Sequence, residues 1–87
     1  MLYITHVHMS GGTGHEHIAA VQWINPATNA TGSSTVKAMI DWITKEKGIA
    51  KVTDGKNTVE VRVVNNAYLR TYADGKWSNN LLSLPRY

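Results

Sequence analysis

The chain has 87 residues, no cysteine and a formal net charge of +3. This length fits one domain, and the lack of cysteine excludes both disulfides and a cysteine-held zinc site. No stretch approaches the ~20 apolar residues of a membrane span and no signal peptide is evident at the N-terminus, so a cytoplasmic protein is expected.

Two strands joined by a glycine-rich loop are predicted at the start of the chain. Residues 3–9 alternate in polarity, which places Ile4, His6 and His8 on one face of the first strand. The segment after the loop is rich in β-forming side chains, with apolar residues at both alternating positions, as in a strand covered on both sides. If the two strands pair around the loop, His17 is expected to lie opposite His8.

The one clear helix follows residues 25–32, which have the composition of a turn. Ser33 or Ser34 can cap this helix, and Gly48 is expected to end it in the left-handed conformation. Apolar residues at helical spacing form the stripe that should contact the sheet: Val36, Met39, Ile40 and Ile43.

Two further hairpins are predicted after the helix. Each contains an Asp-Gly turn signal, at Asp54 with Gly55 and at Asp74 with Gly75. The expected strands cover residues 49–53, 58–64 and 68–73, with a short return through Trp77. In the strand over 58–64 every second residue is a valine, so one face should be buried.

The predicted element order is β-β-α-β-β-β with a short last strand. This order indicates an α+β fold in one domain over residues 1–87, with one helix packed on a mainly antiparallel sheet. The tail over 79–87 is apolar for a terminus, so it is expected to dock on the domain or on a neighbouring subunit.

The most distinctive stretch is the glycine-rich loop that runs into a pair of histidines. Three glycines in four positions leave backbone amides unhindered, and the neighbouring hydroxyls and imidazoles can contact an anion. It is not a Walker loop, because it lacks the Gly-Lys-Ser/Thr ending. A flexible hairpin loop is the alternative interpretation. Together with sheet residues that would complete a pocket, the candidate ligand-binding residues are Ser10, Gly11, Gly12, Thr13, Gly14, His15, His17, Arg70, Tyr72 and Trp77.

Metal binding is a second interpretation of the histidines. His6, His8 and His17 would converge in one register of the first hairpin, which would suit zinc, but a one-residue slip separates them. Histidines with no chemical role are the alternative, so no metal and no other cofactor is assigned. Enzymatic activity is not expected, because the chain has no cysteine nucleophile, no Gly-x-Ser-x-Gly elbow and no evident carboxylate pair.

The aromatic residues indicate a planar ligand or a protein surface. The chain has three Trp, four Tyr and no Phe, so every ring carries a polar edge suited to surfaces. Arg62 and Arg70 occupy outward strand positions from which they can clamp a phosphate. Ordinary packing in the core and at its rim is the alternative for most of these rings.

Three stretches of the chain carry a family resemblance. They are YITHVHMSGG over 3–12, GHEHI over 14–18, and YLRTYADG over 68–75 leading to NLLSLP over 80–85. They resemble a family of small bacterial and phage proteins known only as a domain of unknown function. The resemblance implies a stand-alone domain and assigns no activity and no functional residue.

These observations lead to two hypotheses of function. The first is a non-enzymatic binding protein that captures a small phosphate-bearing ligand such as a signalling nucleotide, a use that suits a phage-encoded sponge against host defence. The alternative is a protein-interaction module that binds a host protein through its aromatic rim and apolar tail. A nucleic-acid partner ranks third, because the lysines are not gathered on one face. A homo-oligomer is also expected, because so short a chain has a small core.

Overall fold

One helix lies against one face of a seven-stranded sheet. The computed structural model describes residues 1–53, 55–73 and 75–87, so the turn predictions at Asp54 and Asp74 lie outside the described residues. The helix is α1, Val36–Lys45, and there are two short 3₁₀ turns, His15–His17 and Leu81–Ser83. The strands are β1 (Leu2–Met9), β2 (Ile18–Asn25), β3 (Ala30–Thr35), β4 (Ala50–Thr53), β5 (Thr58–Val64), β6 (Tyr68–Ala73) and β7 (Lys76–Ser78).

The strand order is β3-β2-β1-β4-β5-β6-β7. Among the named strands of the described residues, only β1 and β4 pair in parallel, and this pair contains two residue pairs, Leu2 with Ala50 and Tyr3 with Lys51. All other neighbours pair antiparallel. The predicted α+β class and the mainly antiparallel sheet are therefore confirmed.

Strand β3 corrects the interpretation of residues 25–32 as a turn. The turn ends at Asn29, and the small polar residues Ala30–Thr35 pair along their whole length with β2. They lack the alternation of apolar and polar residues that marks a half-buried strand, because β3 lies at the edge of the sheet and most of its side chains are exposed.

Two irregularities in the β1–β2 hairpin correct its predicted faces and register. Ile4 lies opposite Trp23 and His6 opposite Gln22, which leaves Thr5 as an extra residue in β1. A bulge of this kind changes the side-chain alternation, so Ile4 and Val7 are both buried on the inner face. A second irregularity follows His8, whose partner is Ala20, so His17 does not lie opposite it.

The helix begins and ends at different residues from those predicted. Thr35 is the N-cap, and its hydroxyl accepts a hydrogen bond from the Ala38 amide at 3.1 Å. The left-handed residue at the C-terminal end is Lys47, with φ of 54°. Gly48 instead leaves space for the Trp42 ring, because a Cβ at position 48 would lie 2.2 Å from a ring carbon. The predicted apolar stripe is confirmed, since Val36, Met39 and Ile40 are buried and Ile43 packs against the core.

The sheet has an inner face, which packs against α1, and an outer face, which points away from α1. In β5, Val59 and Val61 are buried while Glu60 and Arg62 are exposed, as the alternation predicts. The sheet also curves. The curvature is seen in the contact between β6 and the turn His15–His17, which lies at the end of the β1–β2 hairpin, although two strands separate β6 from β1. No helix among the described residues is long and apolar enough to cross a membrane.

The C-terminal segment docks on its own domain. Leu81 is fully buried in the core, and Leu82 and Leu84 pack against it. Beyond them, the Val7 amide donates to the Pro85 carbonyl at 3.0 Å, and the Tyr87 amide donates to the Val7 carbonyl at 3.2 Å. The segment therefore provides hydrogen-bond partners for backbone groups at the edge of β1 that β4 leaves unpaired.

We expect Leu81→Ala to lower the free energy of unfolding by about 2–5 kcal/mol, because it removes a fully buried side chain from the core. Leu82→Ala is the matched control, since Leu82 is only partly buried. Urea unfolding followed by circular dichroism measures both. Equal losses for the two variants would contradict the placement of Leu81 in the core.

Candidate functional site

The glycine-rich loop is closed by the 3₁₀ turn that follows it. The Ser10 amide donates to the His17 carbonyl at 2.8 Å, and the His17 amide donates to the Gly14 carbonyl at 3.0 Å. The His17 ring lies so close to Gly12 that a Cβ there would be 2.5 Å from His17 Cδ2. Packing thus explains why position 12 needs a residue without a side chain.

The groups that surround the loop include a carboxylate. The Glu16 carboxylate lies against Gly14, and its Oε1 is 3.6 Å from His17 Nε2. A negative charge at this position disfavours a phosphate beside it. Ser10 and Thr13 are exposed at the rim. Phosphate binding by the loop stays a prediction, and the packing of Glu16 and His17 gives it no support.

His15 is the buried histidine of the protein, with 9% of its surface exposed. Its ring lies 6.3 Å from the ring of Tyr68, at an interplanar angle of 30°. Among the described side chains, its Nε2 is the buried polar atom that has no hydrogen-bond partner. Burial lowers the pKa of His15 below its ordinary value of 6.5, and the positive charge of Arg70 lowers this pKa further, against a smaller opposite effect of Glu16.

The remaining histidines do not form a metal centre with His17. His6 Nδ1 lies 3.0 Å from Thr5 Oγ1. His8 Nδ1 is 2.6 Å from the Tyr87 carbonyl, and since a carbonyl only accepts, His8 donates from this nitrogen. His17 Nδ1 is instead directed at the Ser10 carbonyl, 3.3 Å away. Within residues 1–53, 55–73 and 75–87, no three His, Asp or Glu side chains lie close enough together to hold a metal ion.

A cluster of arginines and aromatic rings occupies the outer face of β5, β6 and β7. Arg62 lies directly opposite Arg70 in the β5–β6 pair. The guanidinium carbon of Arg62 is 4.2 Å from the centre of the Tyr72 ring, a cation–π contact. The Trp77 ring meets Tyr72 edge-on, with 5.0 Å between ring centres. We call Arg62, Arg70, Tyr72 and Trp77 the arginine–aromatic cluster.

Hydrogen bonds hold both guanidinium groups of this cluster in place. Arg62 Nε donates to Glu60 Oε1 at 3.1 Å. Arg70 donates from Nε to the Ser78 carbonyl and from Nη2 to Asn79 Oδ1, both at 3.3 Å. These bonds use only part of the donor set of each arginine, which has five N–H groups.

The structure divides the predicted site residues between two places. Arg70, Tyr72 and Trp77 lie together in the arginine–aromatic cluster, whereas residues 10–17 form a separate, self-closed loop. Arg70 connects the two electrostatically, through its effect on His15. The candidate ligand-binding residues did not include Arg62, although the sequence placed it outward as a possible phosphate clamp. They also did not include Lys51 and Glu60, although the alternation of β5 places Glu60 outward beside Arg62. Lys51 had no such signal, because its place depends on the pairing of β4 with β1 and β5.

Comparison with known proteins identifies the family. A family model described as "Protein of unknown function (DUF3892)" matches residues 3–85, so the chain belongs to this family, in agreement with the resemblance of its motifs. No curated protein and no solved structure shows a significant match to the chain.

The buried His15 predicts a loss of stability in acid. Because its folded-state pKa lies below 6.5, the unfolded chain takes up this proton first as the pH falls. The contribution of His15 to the free energy of unfolding is therefore complete above pH ~6.5 and decreases below it, by at most about 1.4 kcal/mol per pH unit. Urea unfolding between pH 7.5 and pH 5 should show a smaller decrease for His15→Phe than for the unmutated protein. Identical pH profiles would contradict the burial of a neutral His15.

The contact between Gly12 and His17 predicts an energetic coupling. We expect Gly12→Ala to lower the free energy of unfolding by about 1–3 kcal/mol, because the His17 ring must move to admit the new methyl group. In the background of His17→Ala the same change should cost less. A double-mutant cycle of unfolding free energies measures the difference, and strict additivity would show that the ring does not pack against Gly12.

Proposed function

We propose that this member of the DUF3892 family binds a small, planar, phosphate-bearing ligand, such as a nucleotide, on the outer face of β5, β6 and β7. The observation that carries the proposal is the directly opposed pair Arg62 and Arg70 beside the half-buried ring of Tyr72 and the exposed ring of Trp77. The proposal retains Arg70, Tyr72 and Trp77 from the sequence prediction and moves the phosphate from the glycine-rich loop to the two arginines.

The paired arginines favour an anion between them. Like charges directly opposite each other destabilise a sheet, and a phosphate that accepts hydrogen bonds from both guanidinium groups would offset the repulsion. Glu60 neutralises part of the charge of Arg62. Among the described residues, in contrast, the hydrogen-bond acceptors of Arg70 are neutral, the Ser78 carbonyl and the Asn79 amide. Arg70 is therefore the stronger phosphate contact of the two.

The aromatic pair favours a planar group next to that phosphate. Trp77 is 45% exposed, which is unusual for a large apolar side chain, and Tyr72 supports it edge-on from the neighbouring strand. A base stacked on an aromatic side chain contributes about 1–3 kcal/mol to binding. A nucleotide, which joins a planar base to a phosphate, would use the ring pair and the arginine pair together.

The cellular setting belongs to the same proposal. A nucleotide ligand would suit a cytoplasmic protein, and the lack of cysteine agrees with a reducing compartment. Capture of a host signalling nucleotide by a phage-encoded protein is one form of this function. A homo-oligomer would bring two such clusters together and add burial to a small core.

A protein-interaction module is the second candidate. It is favoured by the exposure of large apolar side chains, including Trp77 and Tyr87 at 45% and 43%. The apolar residues of the tail contribute less than the sequence indicated, because Leu81 is buried and Leu84 packs on the core. A protein partner would therefore contact the aromatic rim, with the leucines left in place.

Isothermal titration calorimetry with AMP, GMP, ATP and GTP tests the proposal. We expect at least one nucleotide to bind, Arg70→Gln to weaken that binding about tenfold or more, and Trp77→Ala to weaken it about fivefold or more. Lys37→Gln is the charge-matched control, because Lys37 is exposed on α1, and it should change the affinity less than about twofold.

A further variant separates the sheet face from the glycine-rich loop. His17→Ala should leave the nucleotide affinity unchanged if the arginine–aromatic cluster is the site, and a large loss would return the site to the loop. Absence of binding for all four nucleotides, or equal losses in Arg70→Gln and Lys37→Gln, would contradict the proposal and favour a protein partner.

A further inference from the structure

One row of directly opposed residues crosses all seven strands on the outer face. Each residue of the row is the registered partner of the next, and none of them is buried. We call it the transverse row: Thr31, Ile24, Tyr3, Lys51, Glu60, Tyr72 and Trp77. The arginine–aromatic cluster is thus one end of a longer continuous surface.

The other end of the row leads into a groove. This groove has a volume of about 460 Å³ and is formed by β1, β2 and β3. Its lining includes Thr31 and Ile24 of the transverse row, together with the adjacent outer-face residues His6, Gln22 and Ser33. Amide, hydroxyl and imidazole groups of this kind can donate to and accept from the edges of a nucleobase.

Tyr3 lies between the groove and the cluster. It is separated from Tyr72 by three strand spacings, or about 14 Å at ~4.8 Å per strand. One base cannot cover both rings, so a mononucleotide at Tyr72 and Trp77 leaves Tyr3 and the groove empty. A ligand that uses the whole row must contain several planar groups along one chain.

The charges along the row suit a polyanion of that kind. Lys51 lies in the row between Tyr3 and Glu60. Arg62 and Arg70 lie beside the row, two residues along β5 and β6 from Glu60 and Tyr72. Among the seven residues of the transverse row and the two arginines, Glu60 is the one acidic residue, and it forms an ion pair with Arg62. The surface therefore carries a small net positive charge, and aromatic rings lie on both sides of the basic residues.

Resting on the proposed function, we infer that the outer face binds single-stranded nucleic acid laid across the strands. One base stacks on Trp77 and Tyr72, and the backbone passes Arg70, Arg62 and Lys51. A second base stacks on Tyr3, and the next base enters the groove at Gln22 and His6. A duplex does not fit this arrangement, because its base faces are already stacked and unavailable to the rings.

The experiment compares thymidine monophosphate with an eight-nucleotide oligothymidylate by calorimetry in the same buffer. We expect the oligonucleotide to bind about tenfold tighter or more, because it adds the Tyr3 stack and the groove. Tyr3→Leu should weaken oligonucleotide binding about fivefold or more and leave the affinity for the monophosphate unchanged. The unchanged monophosphate affinity also shows that this variant is folded. Trp77→Ala should weaken the binding of both ligands.

The salt dependence provides an independent measurement. A plot of the logarithm of the oligonucleotide affinity against the logarithm of the salt concentration should have a slope of about −1.4 to −2.1 if two or three phosphates are contacted. Lys51→Gln should reduce this slope by about 0.7, because it removes one phosphate contact. An unchanged slope in Lys51→Gln would overturn the path of the backbone along the row.

The outcomes distinguish this inference from the proposed function. Equal affinities for the monophosphate and the oligonucleotide, both insensitive to Tyr3→Leu, would overturn the extended ligand and leave nucleotide binding intact. Tighter oligonucleotide binding that does not depend on Tyr3 would overturn the transverse row as its track. Preference for a duplex of the same length would overturn the single-strand assignment. Binding of neither thymidine ligand nor of the four purine nucleotides would overturn both proposals.

Discussion

The short parallel contact between β1 and β4 holds the two halves of the sheet together. Only Leu2 and Tyr3 pair with β4, yet this contact joins a three-stranded antiparallel unit to a four-stranded one. The remaining edge of β1 carries backbone groups that need partners, and the C-terminal segment supplies them at Val7. Burial of Leu81 anchors that segment, so the junction depends on residues from both ends of the chain.

The small size of the chain determines what the outer face can be. A single helix of ten residues covers one face of the sheet, and the other face carries exposed and half-buried polar side chains. The outer face therefore has to tolerate water, which is why Lys51, Glu60 and Arg62 are accepted there. The same exposure leaves Trp77 and the opposed arginines available to a ligand. The stability of the domain depends on the inner face, whereas the proposed binding uses the outer face of the same sheet.

The candidate site could be predicted in part because some of its residues are neighbours in sequence. Arg70 and Tyr72 lie on one strand, so alternation is enough to place them on one face, and Trp77 joins them through the pairing of β7 with β6. Their separation from the glycine-rich loop was not predictable in this way. Whether the loop faces that surface depends on the curvature of the sheet, and the packing of His17 and Glu16 on the glycines depends on side-chain positions that no local pattern specifies. The burial of His15 follows from the same long-range contact with β6.

Local periodicity alone determined the apolar stripe of α1, the bounds of β5 and β6, and the outward direction of Glu60 and Arg62, because these features depend on neighbours a few residues apart. The tertiary structure decided the rest. The bulge at Thr5 turns both Ile4 and Val7 inward, β3 exists because β2 supplies its hydrogen-bond partners, and Tyr3 reaches Lys51 only through the parallel junction. A strand pairing depends on backbone groups of two distant segments, whereas side-chain periodicity reports only on one segment at a time.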